Sequence, residues 1–559
     1  MEFPPLRAVP APKAIPPHRR RIPATTSRFR IATSRSVLKG TFYAISGYYR
    51  EKRMRKTMGF LLAALLCLGA LAFPAPAASE PTRLSVDDAV RIAVERNLGL
   101  QVETYNPAIA ATDIRRARSI YDPRLTSLLD HKGSNLQAAP ESPLVDQRRT
   151  FDFDASISQL LSTGATASAS FTNLWFEDNL GFTNNPGVPA SRFAQPNLTL
   201  SFSQPLLQGL GKKVTERGIT TADDAMDLSL AAWNQKALDT VAEARNRFLA
   251  LVNTRESLAT RKASLAVARR VHEESTARVN AGVLAAFELQ DSELGVLQRE
   301  KDLLDAELAE RNAADQLLVT LHLPPGTILE LPDTPWTDVP APSEEEAIGV
   351  ALRRRPDLSN ARTSLRTAEF NEEISRNLAL PSLALEGSAG VTGIATEYGD
   401  AIDDMSTVKY PNWAVGLRFS VPLGNTAAKA DAAAARLKAR QARAAVAVLE
   451  ESAGLEIRTA LRALETRRKQ DDVARKGVSV AETRLASFIK RGKLGLSTTK
   501  DVLDAEANLT RAREALSAAH TDFQSALTSL WKSTGELLDR HGVRIDGNAI
   551  ASGTRKGTP

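Results

Sequence analysis

The 559 residues include a single cysteine, Cys67, which excludes an intramolecular disulfide and any metal site built on thiolates. Aromatic residues are scarce, at 5%, so a large aromatic-rich core is not expected. The histidines (His18, His131, His272, His322, His520 and His541) are scattered, with no pair at metal-ligand spacing. Gly209-Leu-Gly-Lys-Lys213 lacks the Gly-x-x-x-x-Gly-Lys-Ser/Thr spacing of a phosphate loop and reads as a strand-to-helix turn. Asp501 and Asp504 stand near a helix start, where the positive end of the helix dipole accounts for two acids. No catalytic residue, metal site or cofactor is therefore expected. Beyond the first 77 residues no apolar run approaches the ~18 residues of a membrane-spanning helix.

Charge is present but localised. The net charge of +7 would suit a nucleic-acid partner, yet residues 1–77 hold fourteen Lys and Arg against two acidic residues, and the remainder is negative. Within that leader, Arg53-Met-Arg-Lys56 is a basic segment, Gly59 to Phe73 an apolar run of signal-peptide length, and Ala75-Pro-Ala77 a small-residue cleavage signal. Residues 54–77 thus read as a signal peptide with the mature start near Ala78; a single membrane anchor is the other reading. Residues 1–53, rich in Pro and Arg, read as a disordered extension or as the product of a start codon placed too early.

What remains alternates between two periods. Ser85 caps a helix that breaks near Asn97, resumes to about Ile120 and ends at Pro123. From Leu125 to Leu207 the period is two: Phe151, Phe153, Ala155 and Ile157 alternate with polar residues, as do Ala165 to Phe171 and Leu198 to Phe202. After Gln204-Pro205-Leu-Leu, a helix is predicted over roughly 221–281, long enough at ~1.5 Å per residue to make a rod of ~90 Å. A turn, Arg278-Val-Asn-Ala-Gly282-Val283, leads to a second helix ending near Leu321, with Leu294, Leu297, Leu304, Leu308 and Leu318 on a seam. Residues 324–342 form a Pro-rich connector, and then the plan repeats. Ser343-Glu-Glu-Glu346 is a capping box, Pro381 answers Pro123, and Trp413 to Val421 alternate as a strand. Val421-Pro422-Leu-Gly424 answers Gln204-Pro205-Leu-Leu207, and a long helix runs from about Thr426 to Lys490. Arg491-Gly-Lys493-Leu-Gly495-Leu496 repeats the first turn. The last helix carries Val502, Ala505, Leu509, Ala512, Leu516, Ala519, Phe523, Ala526 and Leu530 at alternating steps of three and four, the pattern of a stripe packed on a neighbour. Residues 78–323 and 343–540 are thus two halves of one plan, and 541–559 a loose tail.

Strands with an apolar and a polar face, bordered by Trp175, Tyr398, Tyr410 and Trp413, suit a membrane β-barrel with a water-filled lumen. A barrel in lipid must close, and one chain offers too few strands for a roomy pore, so several chains sharing one barrel are expected. A soluble sandwich shows the same alternation, and a helical rod without strands would read as a periplasmic coiled-coil structural protein.

The sequence resembles the TolC-like outer membrane efflux protein family over residues 84–540. The resemblance rests on Ala89-Val-Arg-Ile-Ala-Val-Glu-Arg-Asn97 and its echo Ala347 to Asp357, on Leu378-Ala-Leu-Pro-Ser-Leu383, and on Ser203-Gln-Pro-Leu-Leu207 with Ser420-Val-Pro-Leu423. The two Arg-x-x-x-Gly turns complete it, the second followed by Asp501-Val-Leu-Asp-Ala505. It implies a mainly α protein with a membrane β-barrel part: a homotrimer in the outer membrane, four strands per protomer in a shared twelve-stranded barrel, and long helices forming a periplasmic tunnel. The surplus of candidate strands over 125–195 departs from that plan and is expected as an extracellular loop or hairpin. The resemblance also implies that the turns, with Arg278, Gly282, Val283, Arg491, Lys493, Gly495 and Leu496, form the periplasmic entrance. There they would meet a membrane-fusion adaptor, with an inner-membrane transporter beyond it. Pro123, Pro205, Pro381 and Pro422 would mark the strand–helix junctions.

Overall fold

The computed structural model describes residues 82–137, 145–179, 191–283, 285–332 and 339–543. The leader with its cleavage signal, the middle of the connector and the tail after residue 543 lie outside the described residues.

A two-residue strand β1 (Thr82–Arg83) precedes α1 (Val86–Arg96). Ser85 and Asp88 exchange hydrogen bonds in a capping box, and those bonds hold the Asp88 carboxyl below the usual carboxylate range. Asn97 breaks the helix and caps α2 (Leu98–Arg118) through its Oδ1, which accepts from Leu100 N at 2.9 Å. A 3-10 turn at Ser119–Tyr121 and Pro123 end the helical run and deliver the chain to the sheet.

Strands β2 (Arg124–Gln137), β3 (Val145–Leu160), β4 (Thr166–Asp178) and β5 (Ser191–Pro205) follow. The short α3 (Lys212–Thr215) leads into α4 (Arg217–Asn280) and α5 (Ala286–Leu321). In the connector β6 (Leu329–Glu330) pairs in parallel with β1, a contact that its lack of period did not announce. The second half runs α6 (Glu344–Arg354), α7 (Pro356–Leu378), β7 (Ser382–Thr392), α8 (Tyr398–Ser406) and β8 (Tyr410–Ser420). It ends with α9 (Thr426–Lys493), α10 (Thr499–Thr534) and the short α11 (Leu537–Arg540). Tyr398, expected at a strand end, instead opens α8, which lies against β5 and β7.

The sheet has six antiparallel strands in the order β2-β3-β4-β5-β7-β8, where four were expected. The surplus is a hairpin whose second strand pairs with β4 from Arg148 to Leu160, not an appendage beyond the sheet. The β3–β4 turn lies at the helical end, where Gly211 N donates to Thr163 O at 3.0 Å. One ladder crossing all six strands reads Leu125, Ile157, Ala169, Leu200, Ala389, Trp413. The adjacent ladder reads Thr126, Ser156, Ser170, Thr199, Gly390, Asn412. Along these two ladders one face is thus apolar and the other polar or small. Leu125, Phe153, Ile157, Leu198, Leu200, Phe202, Trp413, Val415, Leu417 and Phe419 on the apolar face are all exposed.

Of the helices, α4 and α9 contain 64 and 68 residues, or ~95–100 Å each at ~1.5 Å per residue. Such rods are held by neighbours rather than by propensity alone. Towards the turns they pack in the order α5, α4, α10, α9; towards the sheet α2 lies on α4, α4 on α7 and α7 on α9. The main apolar core sits between, where Phe248 and Leu251 of α4 meet Ala89 and Ala93 of α1, Leu317 and Leu321 of α5, and Leu329 of β6.

The α10 stripe from Val502 to Leu530 is buried or half-buried throughout. A second face of α10 is buried too, and it is polar: Glu506 takes Arg299 of α5 through Nη2 at 3.1 Å and Thr510 at 2.9 Å. Glu506 is 3% exposed. Removing one partner of such a pair strands the other charge. Glu506→Ala should therefore cost ~3–5 kcal/mol, read as a lowered unfolding midpoint. The double replacement Arg299→Met with Glu506→Leu should recover most of the loss; a double variant as unstable as Glu506→Ala would refute this account.

Candidate docking turns and strand–helix junctions

Both turns are built by one rule. At the first, Gly282 N donates to Val279 O and Val283 N to Arg278 O, each at 2.9 Å. At the second, Gly495 N donates to Gly492 O at 3.1 Å and Leu496 N to Arg491 O at 2.9 Å. This is the Schellman closure, in which carbonyls left over at a helix end are satisfied by the two residues beyond it. It needs a left-handed residue, and Gly282 and Gly495 supply φ of 75° and 74°. The Arg-x-x-x-Gly-apolar spacing is that closure written in sequence. The apolar residue after the glycine commonly packs back on the helix, but Val283 and Leu496 are 76% and 72% exposed. Leu494 and Phe287 stand exposed beside them.

The two turns are also tied together. Arg278 Nη1 donates to Gly492 O at 3.1 Å, so this arginine bridges the first hairpin to the second rather than facing solvent. Glu288 Oε2 accepts from Thr499 Oγ1 at 3.1 Å. Thr498 and Asp501 form a capping box that starts α10. Bonding to the Thr498 backbone N–H and hydroxyl holds the Asp501 carboxyl below its ordinary range. Arg491 and Lys493 are exposed.

The four prolines lie where the chain changes period. Pro123 and Pro381 immediately precede β2 and β7, Pro205 ends β5, and Pro422 follows β8 by two residues. Gly209 and Gly211 make the turn from β5 into α3, with Gly209 N donating to Asn377 Oδ1 of α7 at 2.8 Å. Missed from sequence is Arg245 of α4, 6% exposed, bonded to Gln524 of α10 at 2.9 Å and stacked over Trp531 at 4.8 Å. Burial pulls its guanidinium down to about 10. Its partners lie 279 and 286 residues away, beyond any local pattern.

A bare-faced antiparallel sheet set on paired rods is the fold of solved outer-membrane channels. The chain superposes on the outer membrane channel CmeC of Campylobacter jejuni with a TM-score of 0.57 and 17% identity, covering 84% of this chain and 90% of that one. It superposes on the outer membrane protein VceC of Vibrio cholerae with a TM-score of 0.59 and 17% identity, covering 80% and 96%. In sequence, the pattern described as outer membrane efflux protein matches residues 347–536. The outer membrane efflux protein BepC of Brucella suis is 27% identical over 207 residues, 36% of this chain and 43% of that relative. The match thus spans less than half the length of that curated relative.

The geometry predicts the outcome of Gly495→Ala. A Cβ at this φ meets no neighbour but strains the backbone by ~1–2 kcal/mol. Amide exchange should quicken at residues 494–497 with the melting temperature of the whole protein unchanged; unaltered local exchange would contradict the assigned closure.

Proposed function

We propose that this chain is one protomer of a trimeric outer-membrane channel, the exit duct of a tripartite efflux or type I secretion system. On this reading the two halves, 78–323 and 343–540 joined by the connector 324–342, each contribute strands to the outer membrane and a helical hairpin to the periplasm. The observation that carries it is that every layer ends at an open edge on the same two sides. The sheet ends at β2 and β8. The helical layers end at α2 and α5 on one side and at α9 on the other. Each edge helix carries an exposed apolar stripe: Leu98, Val102, Tyr105 and Ile109 on α2, Leu294 to Leu308 on α5, and Leu437, Val448, Leu455, Val473 and Val480 on α9. The α5 seam read in the sequence thus faces outward, apart from the buried Leu318. Two unlike edges that complement each other close head to tail into a ring.

Lipid covers the apolar face of the sheet and the polar face lines a watery lumen, so cargo passes without chemistry here. The work is supplied by a transporter in the inner membrane. The exposed apolar residues and cations of the two turns form the periplasmic entrance, where an adaptor docks. A pore-free coiled-coil protein accounts for the helices but leaves the bare sheet face unexplained.

The entrance assignment is tested by Gly495→Pro and by the charge reversal Arg491→Glu with Lys493→Glu. Proline removes the N–H that closes the turn, and the reversal inverts the charge offered to a partner. Both variants should lose cross-linking to the adaptor and export while trimers persist in the outer membrane. Intact cross-linking and export in both would overturn the assignment.

A further inference from the structure

We infer that all six strands of each chain enter the shared barrel, so that three copies close eighteen strands, with β2 of one copy paired to β8 of the next. The inference rests on the trimeric reading above and concerns how that trimer closes. The β2–β3 hairpin meets each requirement of a barrel strand pair. Its register with β4 is continuous from Leu160 to Arg148. Its strands contain 14 and 16 residues, more than the ~9–11 that cross a bilayer. Its residues continue both ladders without changing face, Leu125 and Ile157 on the apolar side and Thr126 and Ser156 on the polar side. The β3–β4 turn that joins it to the rest of the sheet is anchored at the helical end, with Thr163 Oγ1 donating to Gln204 Oε1 at 2.9 Å. Gly164 lies so near Gly209 O that a Cβ would stand 2.6 Å from it, which fixes this turn against the β5–α3 turn.

The edges then determine the partner. Six strands in strict antiparallel order leave β2 and β8 running in opposite senses. The β8 of a second copy therefore meets β2 antiparallel, with apolar faces on the same side. Lipid leaves no other way to satisfy the free N–H and C=O groups of either edge. With strands ~4.8 Å apart and tilted ~40°, eighteen strands give a backbone diameter of about 36 Å, against about 24 Å for twelve. The duct would then be wider through the membrane than a four-strand protomer permits.

Cysteine pairs in the full-length protein, with Cys67→Ala, decide the point. Thr126→Cys on β2 is combined in turn with Asn412→Cys, Ala414→Cys, Gly416→Cys and Arg418→Cys on β8. Ser170→Cys on β4 is combined with the same four. If eighteen strands close, a Thr126 pairing yields covalent dimers and trimers on non-reducing gels and the Ser170 pairings yield none. Ladders from Ser170 pairings would mean that β4 is the edge and the barrel has twelve strands, overturning the inference. Failure of both sets in intact trimers would overturn it as well. The native mass of the unoxidised protein is measured alongside: absence of a trimer there contradicts the trimeric reading, while a trimer with Ser170 ladders contradicts only the eighteen-strand closure.

Discussion

A backbone N–H or C=O in hydrocarbon has no water to bond, and a strand at the edge of a sheet carries a row of them. This chain has two such edges, β2 and β8, on a sheet whose outward face is lined by Leu, Phe, Val and Trp. The rest of the architecture follows from resolving that conflict. On the proposed reading the apolar face takes lipid, lipid requires closed edges, and further copies of the chain close them. The opposite directions of β2 and β8 make head-to-tail addition the geometry that keeps the antiparallel order.

The helices answer the same requirement with different chemistry. In water an unpartnered stripe of Leu and Val costs hydrophobic free energy rather than hydrogen bonds. The stripes on α2, α5 and α9 stand below the edges of the sheet and need the same neighbours. Within the chain, polar pairs such as the buried Arg299–Glu506 and the half-buried Arg261–Glu514 fix which helices lie side by side. In the proposed trimer the apolar stripes carry the contact between chains. On that reading sheet and rods share one set of neighbours.

Local chemistry was legible in the sequence and long-range pairing was not. Ser85 and Ser343 announced their helix starts because the partner of the cap lies three residues on. The Schellman turns were visible as Arg-x-x-x-Gly-apolar because their bonds span five residues or fewer. Phe151 to Ile157 showed a strand but not its neighbours, so the β2–β3 hairpin was assigned outside the sheet it belongs to. The apolar period of α5 was legible, whereas the direction it faces depends on α4 and α10. The Glu506–Arg299 pair left no local signal because its partners are 207 residues apart. Helix α8 was missed because Tyr398 suits a strand end as well as a helix start. Its place depends on Gly393, where a Cβ would stand 1.8 Å from Ala401 O.

The central claim is that these elements form a hollow duct with one end in lipid. Single-particle imaging of the purified protein in a lipid nanodisc tests it most directly. The account predicts a cylinder of helices projecting from one side of the disc by about 100 Å, with a continuous lumen through the disc. Filled rods that stay soluble without lipid or detergent would contradict it.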